Sequence, residues 1–200
     1  MFTTRRESSA MAQLPISNLP NVEESRADGE IEEIYADIRR TMEIPFVPNI
    51  HKAMATSPSA LAGTWNVLRN VFLRTPLPSS VASMILFSIA AEKQCRYCSA
   101  VHQVTCKSLG VDEQTFAALN ADLEALAPKR IQEIVKFAKK CAMTPQQLSE
   151  ADYEAVRAQG VTDEELIGII ALAALGNYLD TLADATKIEV DSVFAEALSA

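Results

Sequence analysis

The sequence predicts an all-α protein with a single domain. Apolar residues recur every three or four positions along most of the chain, which is the period of an amphipathic helix. Only six glycines interrupt the 200 residues, so the turn signals that separate short strands are nearly absent. A hydrophobic fraction of 48% is enough to bury one core. Because the start of the chain is polar and aperiodic, we expect a flexible extension over 1–20 and one helical-bundle domain over 21–200.

The helices follow in order from apolar periodicity and from capping and breaking residues. Prolines at 45 and 48 end the first helix, and the TPLP segment separates the second helix from the third. Gly110 and Gly160 lie where helix ends are expected. Thr162 and Glu165 form a predicted capping box at the start of a strongly apolar helix. The predicted helices cover residues 29–42, 58–73, 79–109, 112–126, 131–143, 149–159 and 162–182.

Two segments depart from this regular pattern. The proline-rich stretch IPFVPN, residues 44–49, is interpreted as a connector. The third predicted helix is longer than most helices of globular proteins, so we expect a break near Lys93 and Gln94.

The charge and the cysteine content exclude several classes of protein. A net charge of −8 opposes binding to nucleic acid or to an anionic membrane. The longest charge-free stretches, 81–91 and 166–179, fall short of the roughly 20 apolar residues that span a bilayer. Polar residues follow Arg5 and Arg6 where an export signal would be apolar, so we expect a cytoplasmic protein. Its four cysteines should therefore be reduced thiols.

One motif carries the chemical prediction. Cys95 and Cys98 are three residues apart, which on a helix places their α-carbons about 5 to 6 Å apart, within disulfide range. His102 follows one turn later, where an imidazole can take the thiol proton and stabilise the thiolate. Glu92 lies on the same face if the helix is continuous, and its carboxylate could orient the imidazole. If the helix instead starts afresh at Cys95, its N-terminal amides should lower the thiol pKa.

Two other interpretations of these residues stay open. Cys95, Cys98, His102 and Cys106 could be zinc ligands, although four ligands on one helical face cannot surround a tetrahedral ion. The cysteines could also be small buried hydrophobic residues, and we expect this of Cys106 and Cys141.

Several further residues invite functional and structural interpretations. His51 is interpreted as a turn or capping residue because no acid or thiol is near it in sequence. Four apolar side chains could line a pocket near the thiols, although core packing is the simpler expectation: Trp65, Phe72, Met84 and Phe87. Five basic side chains are expected to form a solvated face: Lys129, Arg130, Lys136, Lys139 and Lys140.

The run CRYCSAVH resembles the CxYCxxxH signature of the carboxymuconolactone decarboxylase superfamily, in its alkylhydroperoxidase D-like, peroxidase-related branch. The segments VPNIHKAMATSPSALAGTW and ALGNYLDTLADATKIEVD are similar to corresponding stretches of that branch, so the resemblance covers roughly residues 20–195. It implies an all-helical fold whose protomers form homo-oligomers, trimers or hexamers.

The resemblance also implies a thiol-dependent peroxidase that needs no cofactor and no metal. Cys98 would attack a small organic hydroperoxide, Cys95 would resolve the sulfenic acid as a disulfide, and His102 would relay protons. A dithiol donor, either a lipoyl protein or a thioredoxin-like protein, would then reduce the disulfide. The family places a glutamate twelve residues before the first cysteine, but this chain has Ser83 there. We therefore expect Glu92 to replace it, or a weaker peroxidase.

Three alternatives to the peroxidase remain. The same cysteine pair could serve a general protein disulfide reductase. The chain could instead be a non-enzymatic redox-sensing or assembly protein. A carboxymuconolactone decarboxylase fits poorly, because the decarboxylases lack the redox pair.

Overall fold

The computed structural model describes residues 17–199, and within that range the chain is helical with no β-strand, as the sequence predicts. Three short 3-10 helices accompany ten α-helices. The α-helices are α1 (Gly29–Met42), α2 (Asn49–Met54), α3 (Pro58–Val71), α4 (Ser79–Glu92), α5 (Arg96–Ser108), α6 (Glu113–Ala121), α7 (Lys129–Met143), α8 (Glu150–Arg157), α9 (Asp163–Thr186) and α10 (Ser192–Ser199).

Helix α9 is the centre of the bundle and packs against α3, α4, α5 and α7. The predicted capping box starts it: the Glu165 amide donates to Thr162 Oγ1 at 3.2 Å, and the Thr162 amide donates to Glu165 Oε2 at 2.9 Å. Gly176 permits its close approach to α4, because a Cβ at this position would lie 3.2 Å from Cγ2 of Ile89.

By length and composition alone, α9 is also the one helix among residues 17–199 that could cross a membrane. The charge-free stretch 166–179 is too short to span a bilayer, but the helix extends beyond it at both ends, from Asp163 to Thr186. Half of its most apolar window is buried inside the bundle. Packing against at least five other helices, α2 among them, accounts for the apolar composition of α9 as that of a core helix.

The buried side chains form two clusters that share α9. The first lies between α4, α7 and the N-terminal half of α9, and it includes Cys106 and Cys141. The second lies between α1, α2, α3, α5 and the C-terminal half of α9, and it includes Cys95 and Cys98. The redox motif therefore belongs to the second cluster, and the other two cysteines pack in the core as the sequence predicts.

The predicted break in the long cysteine helix is confirmed. Helix α4 ends at Glu92, and Gln94 has a left-handed backbone with φ of 58°. The Cys95 amide then donates to the Ala90 carbonyl at 2.9 Å, which closes the helix end as in a Schellman motif. Helix α5 starts anew with Cys95 as its N-cap residue, so the faces of α4 and α5 are not in register.

Two short helices were not predicted. Helix α2 starts inside the segment interpreted as a connector, directly after Pro48. Tertiary hydrogen bonds hold it: the Asn49 amide donates to Asp191 Oδ1 at 3.0 Å, and the Asn49 side chain donates to the Glu189 carbonyl at 3.0 Å. Helix α10 follows Asp191 directly.

Part of the predicted N-terminal extension has tertiary contacts. The Asn18 amide donates to the Thr186 carbonyl at 2.9 Å, and Ser17 is buried. Residues 1–16 of the predicted extension lie outside the described residues.

Candidate active site

Two thiols and one carboxylate meet between α5 and α9. The sulfurs of Cys95 and Cys98 and a carboxylate oxygen of Asp180 all lie within 4.8 Å of one another, and all three residues are buried. The sequence therefore predicts the proximity of the cysteine pair correctly, and the fold adds an acidic group from a distant part of the chain.

The position of Asp180 follows from the pattern of α9. Leu175, Leu179 and Ala183 face the second cluster, and Asp180 is buried on the same side of the helix. Its charge has one cationic neighbour, since Lys93 Nζ lies 4.0 Å from Asp180 Oδ2. Lys93 also donates to Asn177 Oδ1 at 3.1 Å, one turn earlier on α9, which fixes the ammonium beside the carboxylate.

Burial and neighbouring groups shift the pKa values of Asp180 and Cys98. Burial raises the pKa of Asp180, while the two thiols and Lys93 oppose that shift. The hydrogen bond with Cys95, burial and the negative charge of Asp180 all raise the pKa of the Cys98 thiol well above its usual value. The expected lowering of the thiol pKa by the start of α5 is therefore wrong: the helix does start at Cys95, but burial and the carboxylate outweigh its dipole.

Cys98 lines an apolar cavity of about 440 Å³. Cys95 is fully buried and does not line it, so of the two sulfurs Cys98 is the one that a molecule in the cavity would meet. The wall is made mainly of aliphatic and aromatic side chains, among them Leu68, Phe72, Leu86, Val101, Leu179 and Phe194. Such a cavity suits an organic molecule with a substantial apolar part.

His102 lies on the wall of the same cavity, one turn beyond Cys98 on α5. Its ring packs edge-on against Phe72 with centroids 5.9 Å apart, and its buried Nδ1 has no hydrogen-bond partner among the described residues. Burial lowers the pKa of His102 to about 4, so the imidazole is neutral near pH 7. A neutral imidazole has one nitrogen free to accept a proton.

Solved structures match nearly the whole chain. One is an alkylhydroperoxidase AhpD core, an uncharacterised peroxidase-related protein from Ralstonia eutropha, with a TM-score of 0.82 over 90% of this chain and 95% of that chain at 23% identity. A peroxidase-related protein from Silicibacter sp. matches with a TM-score of 0.76 over 92% of this chain and 97% of that chain, at 21% identity. This chain has the alkylhydroperoxidase-core fold.

The alkylhydroperoxidase-core fold is also similar to that of a debrominase. Bmp8, solved with bound 2,3,4-tribromopyrrole, matches with a TM-score of 0.75 over 90% of this chain and 95% of that chain, at 15% identity. Among curated proteins, an (R)-2-haloacid dehalogenase from Pseudomonas putida is 44% identical over 48 residues. That stretch is 24% of this chain and only 16% of the dehalogenase. No family model matches the chain.

Glu92 is not brought to the thiols in this alkylhydroperoxidase-core fold. Its predicted role depended on a continuous helix, and that condition is not met because α4 ends at Glu92 itself. Its carboxylate is half exposed and accepts a hydrogen bond from Lys139 Nζ at 2.9 Å on α7. Ser83, at the position of the family glutamate, is fully buried on α4, and its hydroxyl has no partner among the described residues.

The fold does not bring together the four residues of the disfavoured zinc alternative. Cys106 belongs to the first cluster, and His102 is not part of the group formed by the two thiols and Asp180. That group is the one set among residues 17–199 that could hold a metal ion. Lys93 gives the Asp180 carboxylate of this group a cationic neighbour.

The remaining cysteines and aromatic residues divide between core and cavity. Burial raises the pKa of Cys106 to about 12 and that of Cys141 to about 11, which keeps both thiols protonated and unreactive. Phe72 lines the cavity. Trp65 lies in the second cluster, whereas Met84 and Phe87 lie in the first.

The predicted basic face consists of ion pairs near the surface. Each of its five cations has an acidic partner within 3 Å: Lys129 with Glu133, Arg130 with Glu165, Lys136 with Glu124, Lys139 with Glu92 and Lys140 with Asp152. Paired in this way, these side chains offer no free positive surface to an anionic partner.

Sequence reasoning missed two residues of the site. Asp180 had a usable signal, since it is an acid that directly follows the charge-free stretch 166–179 of a strongly apolar helix. His51, interpreted as a turn or capping residue, is instead buried in α2 and lines the same cavity as Cys98. Nothing in the local sequence around His51 indicates that position, because α2 reaches the cavity through tertiary packing.

Both buried histidines should make stability depend on pH. Burial lowers the pKa of His51 and of His102 to about 4, from the usual 6.5. The unfolded chain therefore takes up protons first as the pH falls. Each imidazole should lower the free energy of unfolding by on the order of 3 kcal/mol between pH 6.5 and pH 4. Denaturant unfolding of the wild type and of His102→Gln at both pH values measures this; an equal loss in both proteins would contradict it.

Proposed function

We propose that this protein reduces organic hydroperoxides through reversible disulfide formation between Cys98 and Cys95. The observation that carries the proposal is the arrangement of the two sulfurs. One lines an apolar cavity, and the other lies directly behind it, within 4.8 Å. A substrate can therefore reach the first sulfur, and the oxidised product can reach the second without a large movement of the backbone.

The oxidation consists of two balanced steps. Cys98 Sγ attacks the terminal oxygen of R–O–O–H, an S–O bond forms, and the O–O bond breaks. The alkyl oxygen takes the bonding electrons and, with the proton that the thiol releases, leaves as the alcohol. Cys95 Sγ then attacks the sulfenic sulfur, which forms the disulfide and releases water. An external dithiol returns both cysteines to the thiol form and is itself oxidised to a disulfide.

Asp180 supplies the base that the first step needs. The Cys98 thiol has a raised pKa, so it requires a proton acceptor in contact with it, and the raised pKa of Asp180 makes that carboxylate a better acceptor than an exposed one. When the proton passes from Cys98 Sγ to the Asp180 carboxylate, the negative charge moves from oxygen to sulfur. The site therefore holds one negative charge before and after the transfer. Lys93, at 4.0 Å from Asp180, limits the cost of holding that charge in the core.

His102 completes the proton path. Its neutral imidazole can accept the proton at one nitrogen and release one at the other. It lines the same cavity as Cys98, which supports a role for it in relaying protons between the thiol and the substrate oxygens.

The electron donor must carry its reactive sulfur on a group narrow enough to enter the cavity. Cys98 is only 3% exposed, so a donor has to bring its sulfur down the cavity. A lipoyl arm meets this requirement better than the surface of a thioredoxin-like protein. The same limit disfavours a general protein disulfide reductase, whose substrates carry their disulfides on folded chains.

Reductive dehalogenation is a second candidate. The likeness to the debrominase and the apolar cavity favour it, since a halogenated aromatic ring would suit this wall. The balance is the same as for a peroxide: an aryl bromide and two thiols would give the arene, hydrogen bromide and the Cys95–Cys98 disulfide.

Turnover with three oxidants distinguishes these functions. Dihydrolipoamide serves as the reductant, and cumene hydroperoxide, 2,3,4-tribromopyrrole or oxidised insulin serves as the substrate. The proposal predicts loss of cumene hydroperoxide at a rate well above that of reductant alone. Bromide release without peroxide turnover would favour the dehalogenase instead. Reduction of insulin alone would favour the disulfide reductase, and no turnover with any substrate would favour a non-enzymatic protein.

A further inference from the structure

Two imidazoles, not one, line the cavity that Cys98 also lines. His51 is 1% exposed, it lines the cavity, and neither Nδ1 nor Nε2 has a hydrogen-bond partner among the described residues. Its ring is held edge-on against Trp65, with centroids 5.9 Å apart and an interplanar angle of 78°. Buried polar atoms are rarely left without a partner, because their desolvation is then uncompensated. Packing against Trp65 therefore holds the His51 ring at the cavity wall, and both of its nitrogens are buried without a partner among the described residues.

The other deeply buried polar group on this wall is already engaged. The Tyr97 hydroxyl donates to Asp191 Oδ2 at 2.9 Å and accepts a hydrogen bond from the Ile50 amide at 3.3 Å. Tyr97 thus holds α2 and α5 together rather than binding a ligand. Because Ile50 precedes His51, the same hydrogen bond fixes the end of α2 that carries the imidazole.

We propose that His51 binds the oxygen-bearing end of the substrate in this cavity, donating a hydrogen bond to the alkyl-side oxygen of the hydroperoxide. This inference rests on the proposed peroxidase function and deepens it. The apolar wall then holds the alkyl or aryl group, and the polar end lies between His51, His102 and Cys98. The substrate class is an organic hydroperoxide with a bulky apolar substituent rather than hydrogen peroxide.

The chemistry explains why a donor is needed at this position. When Cys98 attacks the terminal oxygen, the O–O bond breaks and its electron pair moves to the alkyl-side oxygen. Negative charge develops there inside an apolar cavity, where a preoriented N–H donor is most effective. A neutral imidazole provides such a donor, and the proton released by Cys98 completes the alcohol.

Binding of the product alcohol tests the role of His51 without any peroxide. The probe is 2-phenylpropan-2-ol, and tert-butylbenzene is the matched ligand with a methyl group in place of the hydroxyl. Trp65, the chain's one tryptophan, contacts His51 and reports binding by its fluorescence. His51→Phe should weaken binding of the alcohol by about 10-fold, the effect of one hydrogen bond, and leave the hydrocarbon unchanged. His51→Gln, which keeps a donor, should recover part of the loss.

A result in which His51→Phe weakens both ligands equally, or neither, overturns the inference. If this variant fails to fold, the wild type still provides a test. The chain has two histidines, so the ring nitrogen resonances of His51 can be assigned in a ¹⁵N spectrum. The alcohol should shift them and tert-butylbenzene should not; equal responses to both ligands would also overturn it. Absence of peroxide turnover would reject the proposed function, whereas these binding data would still decide the role of His51.

Discussion

Replacing Cys98 with serine should abolish peroxide turnover, with a fall in kcat/KM of at least about 1,000-fold, because a serine hydroxyl at this position is not an effective nucleophile. Replacing Cys95 with serine should have a different effect. The first step would still occur, and the enzyme would stop as a Cys98 sulfenic acid, which a dimedone adduct detected by mass spectrometry would reveal.

Cys141→Ser is the matched control for these variants. Cys141 is also a buried thiol, but it lies in the other core cluster and does not line the cavity. Its replacement should leave peroxide turnover unchanged. Retention of wild-type peroxide turnover in both the Cys98→Ser and the Cys95→Ser variant would remove the peroxidase assignment, since neither sulfur would then be needed.

Asp180→Asn should lower the rate of thiol oxidation by about 100- to 10,000-fold, the range expected for loss of a general base. The wild type should lose activity as the pH falls through the raised pKa of Asp180, because the carboxylate must be ionised to accept the thiol proton. The variant should lack that part of the pH–rate profile. Glu92→Gln is the matched control, because its carboxylate pairs with Lys139 at the surface, and its rate should stay within about twofold of the wild type.

Stability separates a chemical role for Asp180 from a structural one. Since burial raises the pKa of Asp180, the ionised carboxylate is unfavourable in the folded state above the pKa it has in the unfolded chain. The amide removes that buried charge at nearly constant volume. The melting temperature of Asp180→Asn near pH 7 should therefore equal or exceed that of the wild type. Two results would contradict the role of Asp180 as a general base. One is slow thiol oxidation by an Asp180→Asn variant that is also markedly less stable than the wild type. The other is thiol oxidation by Asp180→Asn at the wild-type rate, whatever its stability.

Much of the fold could be predicted because its signals are local. Apolar periodicity, the prolines near 45 and 76 and the capping box at Thr162 mark most of the helices within a few residues of their observed bounds. The break at Gln94 followed from helix length alone. Helix α2 could not be predicted, because six residues are too few for a periodic pattern and because it depends on hydrogen bonds with residues about 140 positions away. Helix α10 was not predicted either.

The candidate site could be predicted only where it is contiguous in sequence. Cys95 is the N-cap residue of α5, and Cys98 and His102 lie on that same helix. Their spacing in the sequence already predicted redox chemistry. The carboxylate comes from α9 and the second imidazole from α2, so both depend on how three helices pack. Glu92 was chosen as the nearest acid in sequence, and a single left-handed residue at Gln94 places it on another face.

The state of the cysteines after one equivalent of cumene hydroperoxide tests the central claim most directly. The reduced protein is treated without any reductant, alkylated, and analysed by intact mass and peptide mapping. The account predicts that two of the four thiols disappear, with a loss of about 2 Da, in a disulfide that joins Cys95 to Cys98. Four alkylated cysteines after treatment, or a disulfide that involves Cys106 or Cys141, would contradict it.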